Sequence, residues 1–556
     1  NIDAMTTAQI AALGTDLIQG LSTAQIRTLG TDDIAALTDG QIQALRAAQV
    51  GAFTTAQLAA FSDADLNLLS SAQAGGLTSA QIASLGTATM VALGTAQYAG
   101  FGSAQLAGLT TDQAAALATE DLVAIRANQM GGLRTAALAA LESHQLAALT
   151  SDQLVALTTT QIRAIEPGDF AALGTDRLAA LGTAQIAALG TAQLDALGSA
   201  QLAALTTAQT AALTTAQLAS LDGSELARLG TAAYAAFSTA QAAAIRPEQA
   251  ASLETADLAA LGTAQVRALG TATLAALSGE QLGALGTDQV RALSVLQIRA
   301  LEADDLGGLS SAQVGALTSS QIVALTTAQL NALSPEQMAG LTTDQVSRLS
   351  AVQVAALDPG RLAGLGTLQF SGLTTAQVAA FSTAQAQALE AADIAAIGSA
   401  QIRALGTAQI VAMTGDQLGA LTADQAPGLT AAQLRAIESG DLAALSTALL
   451  AALNTAQLAG FSSAQLAALS PEQLAQLSTA QVSGLSTAQI AAMTPDQLNG
   501  LGTAQIARLT TAQVAALTSE QMGSLTGENL AAMTTAQVAA LRTAQLEALS
   551  GDTLQA

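Results

Sequence analysis

Residues 182–189 read Gly182-Thr183-Ala184-Gln185-Ile186-Ala187-Ala188-Leu189, and this eight-residue pattern decides the fold of the chain. A step of eight residues from Met5 visits 69 positions before it ends at Leu549, and each position holds Leu, Ile, Phe or Met. No insertion or deletion breaks this register, so neighbouring octads must contact one another in one fixed way. We label the octad positions a to h, with Gly182 at a and Leu189 at h.

The apolar positions predict helix rather than strand. Position e is the second apolar site of the octad, as in Ile186, Leu194 and Leu202. Because e and h are three residues apart, their side chains lie on one face of a helix but would point to opposite faces of a strand. Ala and Gln, which fill much of the remaining octad, also favour helix.

The prolines predict where each helix begins. One continuous helix is excluded, because eight residues shift the apolar stripe by about 80° around the helix in every octad. Only Pro427, at f, departs from position b, which suits proline if b is the first residue of a helix. We therefore predict that a is the N-cap and b the first helical residue. The prolines at b are Pro167, Pro247, Pro335, Pro359, Pro471 and Pro495.

Residue types around the predicted helix start agree with this frame. Ser334 with Gln337, and Ser470 with Gln473, have the spacing of capping boxes. Of the 41 acids, 38 lie at a to d, and 10 of the 17 arginines lie at f or g, as the helix dipole favours. We predict an all-α, elongated solenoid of about 69 eight-residue repeats, each one short capped helix plus a tight corner.

The unbroken register predicts a single continuous octad-repeat solenoid over residues 1–556, although a chain of this length ordinarily holds several domains. Each helix is expected to have six or seven residues, with the corner at a. Such a helix does not persist alone, so only the stack of octads folds. Two octads or four in each coil of the solenoid both fit the pattern.

Composition argues against several classes of function. A net charge of −24 disfavours nucleic acid and anionic membrane surfaces as partners. The sequence has no run of 18 apolar residues, so no membrane span is predicted. The chain has neither Cys nor Lys, which excludes disulfides, cysteine nucleophiles and Schiff-base chemistry. We assign no catalytic, cofactor-binding or metal-binding residue, and predict a protein that is not an enzyme and holds no cofactor.

Aromatic pairs at e and h suggest a ligand platform or, more simply, core filling. Tyr98 pairs with Phe101, and Tyr234 pairs with Phe237. Because e and h are the predicted core positions, we interpret both pairs as core. His144, the only histidine, is predicted to be an exposed residue at c without the partners that a metal site needs.

Two pairs of adjacent carboxylates, Asp32-Asp33 and Asp304-Asp305, could suggest a catalytic or metal site. The octad frame assigns each pair to the second and third helical positions, where helix capping explains them. The chain lacks an EF-hand loop, but weak calcium binding by the acidic face is kept as an alternative.

Two rows of polar side chains recur along the chain. Thr or Ser at b predicts a long regular row of hydroxyls, which we interpret as solvated residues that support the helix starts. The alternative is a periodic array matched to ice, glycan or mineral. Gln at d flanks the apolar face and predicts ladders of Gln amide bonds between stacked coils, with a structural role.

Runs such as residues 182–189 and Thr511-Ala512-Gln513-Val514-Ala515-Ala516-Leu517 resemble octapeptide tracts of very large secreted bacterial surface proteins, many labelled haem-utilisation or adhesion proteins. The resemblance covers the whole chain and implies an extracellular, adhesin-like or fibre-forming role. The haem label gains no support from the residues, because one His and eight Met give no ligand set.

We therefore expect a secreted or cell-surface structural protein, either an adhesin stalk or a self-assembling filament subunit. The alternative is a surface-binding module for ice, glycan or mineral that uses the Thr/Ser row. The Gly-rich terminal octads lack a polar cap, which predicts self-association end to end or laterally. Because the chain starts at Asn1 without Met, we also expect a processed or excised segment.

Overall fold

A computed structural model describes residues 2–549, and within that range every regular element is a helix. The fold is an all-α solenoid of short helices, as the octad pattern predicts. From Thr7 onward each helix begins at b, except Asp304–Gly308, which begins one residue later at c. The six prolines at b are all first helical residues, so the prediction of where the helices begin is confirmed.

The α-helices are four, five or six residues long and therefore end at e, f or g. Thr183–Ala188 is typical of the six-residue helices and Ser199–Ala203 of the five-residue helices. The four-residue helices are Ala47–Val50, Thr55–Leu58, Ser71–Ala74, Ser103–Leu106, Pro167–Phe170, Pro247–Ala250, Thr455–Leu458 and Thr503–Ile506. Five helices within residues 2–549 are 3-10 helices: Ile2–Ala4, Ala127–Gly132, Asp304–Gly308, Ala423–Gly428, which contains Pro427, and Ser439–Ala444.

The corner between helices takes two residues, h and a. Leu189 at h (φ −55°, ψ 139°) and Gly190 at a (φ −70°, ψ 153°) are both extended. The backbone N–H of Leu189 donates to the carbonyl of Ile186 at 3.1 Å and closes the helix before the turn. The predicted length of six residues is confirmed for many helices, but among residues 2–549 no α-helix has seven, because h already belongs to the corner.

Helix starts are closed by reciprocal hydrogen bonds. The backbone N–H of Ser334 donates to Oε1 of Gln337 at 2.7 Å, and the backbone N–H of Gln337 donates to Oγ of Ser334 at 3.2 Å. The same pair of bonds joins Ser470 and Gln473. Both predicted capping boxes are thus confirmed, and they satisfy backbone donors that a short helix leaves free.

Side chains at e and h form the core. Ile186 is fully buried and Leu189 is 4% exposed, and the same holds for their counterparts through most of the chain. Positions a, b, c and f face solvent in most octads, as residues 182–184 illustrate. One face of each short helix is therefore buried by its neighbours, which supplies the stability that a helix of this length lacks alone.

One coil of the solenoid takes about three and a half octads. Within each unit, helices pack against the third helix after them, as Thr183–Ala188 does against Thr207–Ala212 and Thr487–Ala491 does against Thr511–Ala516. Side-chain bonds between adjacent coils join residues 25 to 31 positions apart, for example Arg163 to Ala188 and Gln185 to Leu154. The coil therefore holds about 28 residues, and neither two nor four octads.

The chain divides into two compact units between Leu277 and Ser278. Each unit is a stack of coils of the kind just described, with its own buried e and h side chains. The single continuous solenoid predicted over residues 1–556 stays a prediction.

Candidate functional site

Glutamine at d makes the contact that joins one coil to the next. Gln185 is 6% exposed, and its Oε1 accepts a hydrogen bond at 2.9 Å from the backbone N–H of Gly182, the N-cap of its own helix. Its Nε2 donates to the carbonyls of Leu154 and Leu157 in the preceding coil, at 2.9 and 2.8 Å. The amide therefore closes its own helix and fastens that helix to the coil before it.

These bonds recur within both units, at separations of 31 and 28 residues. Nε2 of Gln217 donates to Ile186 and Leu189 at 2.9 Å each. Near the end of the described range, Nε2 of Gln545 donates to the carbonyls of Val514 and Leu517. The predicted ladder of amide bonds between glutamine side chains is therefore wrong, because each of these amide groups donates to backbone carbonyls and not to another glutamine. The half-octad offset between coils places a corner, and not another d side chain, beside each glutamine.

Other donors occupy d in some octads. Nε of Arg177 donates to the carbonyl of Leu149 at 2.7 Å, and Oγ1 of Thr273 donates to the carbonyl of Ile245 at 2.8 Å. Both acceptors lie at h, 28 residues earlier, where the glutamine amide would bond. Donors other than glutamine can therefore make this bond, which satisfies a buried carbonyl that would be costly to leave unpaired.

Arginine at f adds a second bond between coils. Nε of Arg163 donates to the carbonyl of Ala188 at 3.1 Å, and Nε of Arg435 donates to that of Gly460 at 3.1 Å. Each acceptor lies at g, in the third octad after the arginine. These arginines near the ends of their helices thus have a role in joining coils, besides the favourable interaction with the helix dipole.

Three acids at d occupy the buried donor position without being able to donate when ionised. Asp121, Asp257 and Asp393 are 4%, 2% and 4% exposed. Oδ2 of Asp257 is fully buried and has no hydrogen-bond partner among residues 2–549. Within the same range, no donor reaches the carbonyl of Leu229, the h carbonyl 28 residues before Asp257. An acceptor thus replaces a donor at this point between coils.

Burial is the main reason that the pKa of Asp121, Asp257 and Asp393 is raised to about 6. The charges of Glu120 and Glu254 raise the pKa of Asp121 and Asp257 further. For Asp393, the hydrogen bond from the backbone N–H of its N-cap lowers the pKa and the charge of that N-cap residue, Glu390, raises it. All three carboxyls therefore favour the neutral form more than an exposed aspartate does.

Tyr98 and Tyr234 lie beside two of these aspartates. Each tyrosine is fully buried, with its ring centroid 5.1 Å from that of Phe101 or Phe237, which confirms the interpretation of both pairs as core. Oη of Tyr98 donates to the carbonyl of Met90 at 2.5 Å, and Oη of Tyr234 donates to that of Leu226 at 3.0 Å. Both acceptors lie 31 residues before an aspartate, so each tyrosine bonds a carbonyl that a glutamine amide would otherwise use.

Sequence reasoning missed this arrangement, although its signal is present. Tyr98 and Asp121, Tyr234 and Asp257, and Phe370 and Asp393 are each 23 residues apart, and each pair follows the previous one by 136 residues. The third pair has phenylalanine in place of tyrosine and so lacks the hydroxyl. The aspartates were grouped with the other acids of the first helical turn, most of which are exposed or half-buried.

The remaining candidates from the sequence stay isolated. His144 is exposed, and its Nδ1 lies 3.3 Å from Oε2 of Glu142. Oδ2 of Asp33 accepts a hydrogen bond from the backbone N–H of Gly30 at 3.1 Å, so the capping role is confirmed there. Asp304 and Asp305 were placed one residue too far along, because their 3-10 helix begins at Asp304 and makes them its first two residues.

Residues 2–549 contain no group of three or more His, Cys, Asp or Glu side chains placed to hold a metal ion. Weak calcium binding by the acidic face stays an alternative. Across the same part of the chain, no helix is long and apolar enough to cross a membrane.

Sixteen segments between residues 18 and 527 match the sequence profile of a family described as the ALTTAQ repeat, and together they cover well over half of the chain. The chain belongs to the ALTTAQ repeat family. The matched segments are 18–47, 29–63, 82–119, 122–159, 162–198, 186–223, 250–287, 282–319, 298–335, 318–351, 354–391, 386–423, 394–431, 434–471, 471–502 and 495–527. No curated protein matches the chain.

The six letters of the ALTTAQ repeat correspond to positions g to d of the octad, as in residues 204–209. Leu205 is buried at the corner, and the backbone N–H of Thr206 donates to Oε1 of Gln209 at 2.8 Å. Nε2 of Gln209 then donates to the carbonyls of Leu178 and Leu181 at 2.8 Å each. The ALTTAQ repeat is therefore the corner, the helix cap and the bond between coils in one stretch of sequence.

Hydroxyls at b are exposed in the ALTTAQ octads, but they do not form one straight row. The half-octad offset puts b beside g of the next coil: a Cβ added to Gly100 would lie 2.0 Å from the carbonyl oxygen of Ser71. Some serines at b also bond the next coil, since Oγ of Ser71 donates to the carbonyl of Ala96 at 2.7 Å. The predicted long regular row is therefore interrupted from one coil to the next.

Proposed function

We propose that this ALTTAQ repeat protein is an extracellular structural protein, either the stalk of an adhesin or the subunit of a self-assembling filament, and has no enzymatic activity. One observation carries the proposal: within each unit, buried amides at d hydrogen-bond successive coils, so a load on one coil passes to the next. The resemblance of residues 182–189 to tracts of secreted bacterial surface proteins supports the extracellular location.

The outer coils support association with a second copy. Nε2 of Gln9 and of Gln25 has no acceptor within residues 2–549, since no earlier coil lies against them in that range. Val538 and Leu546, at the normally buried position e, are 49% and 50% exposed. The first coil of a second copy offers amide donors to the last carbonyls and covers these apolar side chains. End-to-end stacking uses the same chemistry as the coils inside each unit.

Self-association is tested by sedimentation velocity and negative-stain imaging of the full chain at increasing concentration. We expect Leu546→Glu to weaken association by about tenfold or more, because it places a charge in a contact that must lose water. Leu368→Glu is the matched control, since Leu368 lies at c within a coil and is 73% exposed. A monomer at every concentration, or equal loss in both variants, contradicts stacking through the outer coils.

Cell-surface location is tested separately. Intact cells of the source organism are treated with a protease that does not enter them, and the fragments released are identified by mass spectrometry. We expect peptides of this chain in the released fraction. Recovery of those peptides only after the cells are broken contradicts an extracellular role, whatever the outcome for association.

The exposure of Thr183 and Thr191 at b favours a second candidate, a module that binds glycan, ice or mineral through hydroxyls. Glycan pull-down and thermal-hysteresis measurements test it, with Thr183→Arg and Thr191→Arg as variants. Ala184→Arg, at the exposed position c, is the control. Binding that is lost only in the threonine variants supports the surface-binding role, and no binding by the unaltered chain contradicts it.

A further inference from the structure

Three octads bury a carboxyl at d, where their neighbours place an amide donor. In those neighbours, Oε1 of the d side chain accepts from the N-cap N–H while Nε2 donates to the preceding coil. Asp393 reproduces the first contact, since its Oδ2 accepts from the backbone N–H of Glu390 at 3.2 Å. In Asp257, Oδ2 is buried without a partner, and the h carbonyl that it should bond is also unpaired within residues 2–549.

We propose that Asp121, Asp257 and Asp393 are proton-binding sites that open and close a hydrogen bond between coils. When a proton from solvent binds, the carboxyl O–H donates to the h carbonyl of the preceding coil, as the glutamine N–H does elsewhere. When the proton leaves, a carboxylate oxygen faces a carbonyl oxygen and the contact is lost. The h carbonyls are those of Leu93, Leu229 and Leu365.

The neutral form of the carboxyl supplies the donor that glutamine supplies at this position. An ionised carboxylate accepts hydrogen bonds and donates none, whereas the protonated acid has one O–H to give. A buried carbonyl and a buried carboxylate left without a donor each cost free energy. At Asp257, which is 2% exposed, Oδ2 is fully buried, so water does not satisfy it. Protonation therefore pairs the buried carboxyl and the buried carbonyl with each other through one hydrogen bond.

Besides burial, nearby acids raise the pKa of the three aspartates, whereas the N-cap N–H of Glu254 and Glu390 lowers the pKa of Asp257 and Asp393. No positively charged side chain within residues 2–549 forms an ion pair with any of the three aspartates. Tyr98 and Tyr234 face Asp121 and Asp257 and are held neutral by burial. The charged or titratable groups on the elements packed around Asp121 are Glu120, Glu142 and His144. Around Asp257 they are Glu225, Arg228 and Glu254, and around Asp393 they are Arg361, Glu390 and Asp416.

The direction of the pH effect follows from the raised pKa. A group whose pKa is higher in the folded than in the unfolded protein stabilises the folded state. That contribution is complete at pH values below the pKa of the unfolded state and is lost as the pH rises through the pKa of the folded state. The folded pKa is about 6, against an ordinary value of 3.8. The three contacts are therefore closed in mildly acidic solution and open at neutral pH, while the glutamine contacts do not titrate.

Hydrogen exchange of the full chain at pH 5 and pH 7.5, corrected for intrinsic rates, tests the proposal. We expect protection in octads 222–229 and 254–261 to fall about tenfold more than in octad 182–189 between these pH values. Asp257→Asn keeps the size of the side chain and supplies an N–H donor, so it should remove that difference. Asp112→Asn, at exposed position c, should leave it unchanged.

A second measurement separates proton binding from the binding of another cation. Carboxyl 13C shifts of labelled aspartate are followed by pH titration, and the signals lost in Asp121→Asn, Asp257→Asn and Asp393→Asn identify the three groups. Midpoints near 6 support the proposal, and midpoints near 4 overturn it. It is also overturned if Na+, K+ or Ca2+ restores protection at pH 7.5 in the unaltered chain while choline does not, because a cation then occupies the position.

Discussion

Octads 182–189 and 254–261 lie in the same unit and differ at d by amide against carboxyl. Their helices, Thr183–Ala188 and Thr255–Ala260, have the same length, and their N-caps have nearly the same backbone angles, −70° and 154° for Gly182 and −72° and 148° for Glu254. Only the first octad is hydrogen-bonded to the preceding coil through d. Packing of e and h therefore sets the path of the chain, and the bond at d is a separate contribution to stability.

The aspartate octads also differ among themselves. Beside Asp257, the hydroxyl of Tyr234 bonds the carbonyl of Leu226, while beside Asp393 the equivalent residue is Phe370 and no hydroxyl is present. The two regions thus lose one or both of the bonds that a glutamine makes. The glutamine octads and the aspartate octads thus differ in the donor available at d, while their buried e and h residues are almost the same.

Gln185→Glu should have the largest effect, because it converts the amide octad into a carboxyl octad with no change of size. The new carboxylate oxygen would face the carbonyls of Leu154 and Leu157, and we expect a loss of about 2–4 kcal/mol in local stability at pH 7.5, and less at pH 5. Hydrogen exchange of residues 151–189 measures this, because long repeat arrays need not unfold in one step.

Gln43→Glu is the control for this change, since Gln43 lies at the exposed position f. It should change the local stability measured by hydrogen exchange by a few tenths of a kcal/mol at most. Equal effects at the two positions would mean that the loss comes from the added negative charge and not from the loss of the amide donor at d.

Thr273→Val tests whether the donor matters more than the residue type. The substitution keeps the shape of a side chain that is 4% exposed and removes the hydroxyl that bonds Ile245. We expect a loss of about 1–2 kcal/mol, since the carbonyl is left buried and unpaired. Thermal unfolding followed by circular dichroism checks this against Thr271→Val at exposed position b. A change no larger than that control would limit the requirement to glutamine.

Exchanging the aromatic residues should convert each aspartate region into the other. Tyr234→Phe removes the bond to Leu226, for an expected loss of about 1 kcal/mol, and Phe370→Tyr should add a bond to Leu362 with a gain of similar or smaller size. Hydrogen exchange in octads 222–229 and 358–365 reports the two changes. Effects of the same sign in both variants would show that ring packing, and not the hydroxyl, controls stability there.

Gly182→Ser should have the smallest effect, a gain of a few tenths of a kcal/mol in thermal stability, because it gives the N-cap a side-chain acceptor. An added Cβ would lie 3.6 Å from the nearest atom, Oε1 of Gln185. At Gly262 the same Cβ would lie 2.3 Å from Oε1 of Gln265, so Gly262→Ser should give no gain. A gain at Gly262 equal to that at Gly182 would contradict the geometry of the cap.

Much of the fold could be predicted because single residue types report on local geometry. Proline at b restricts the chain to one place in a helix, and the e and h spacing identifies the buried face. The size of the coil could not be predicted, because it depends on the angles of two consecutive corner residues, such as Leu189 and Gly190, that many φ/ψ pairs allow.

The aspartate sites were missed for a different physical reason. Asp33 and Asp257 occupy the same octad position, but Asp33 is half-buried and caps its own helix, while Asp257 is covered by its neighbours. Burial of a given d residue depends on which coils lie beside it, and the octad frame contains no such information. The recurrence of the tyrosine or phenylalanine 23 residues earlier was the only sign in the sequence.

A coil of about 28 residues means that octads and turns do not divide evenly. Gain or loss of a single octad in either unit keeps every cap and core position but rotates all later octads of that unit by roughly 100° about its axis. Only the gain or loss of seven octads, which make two full turns, returns the later octads to their original orientation about the axis. The number of octads therefore determines which side chains two distant points of one unit present on the same side.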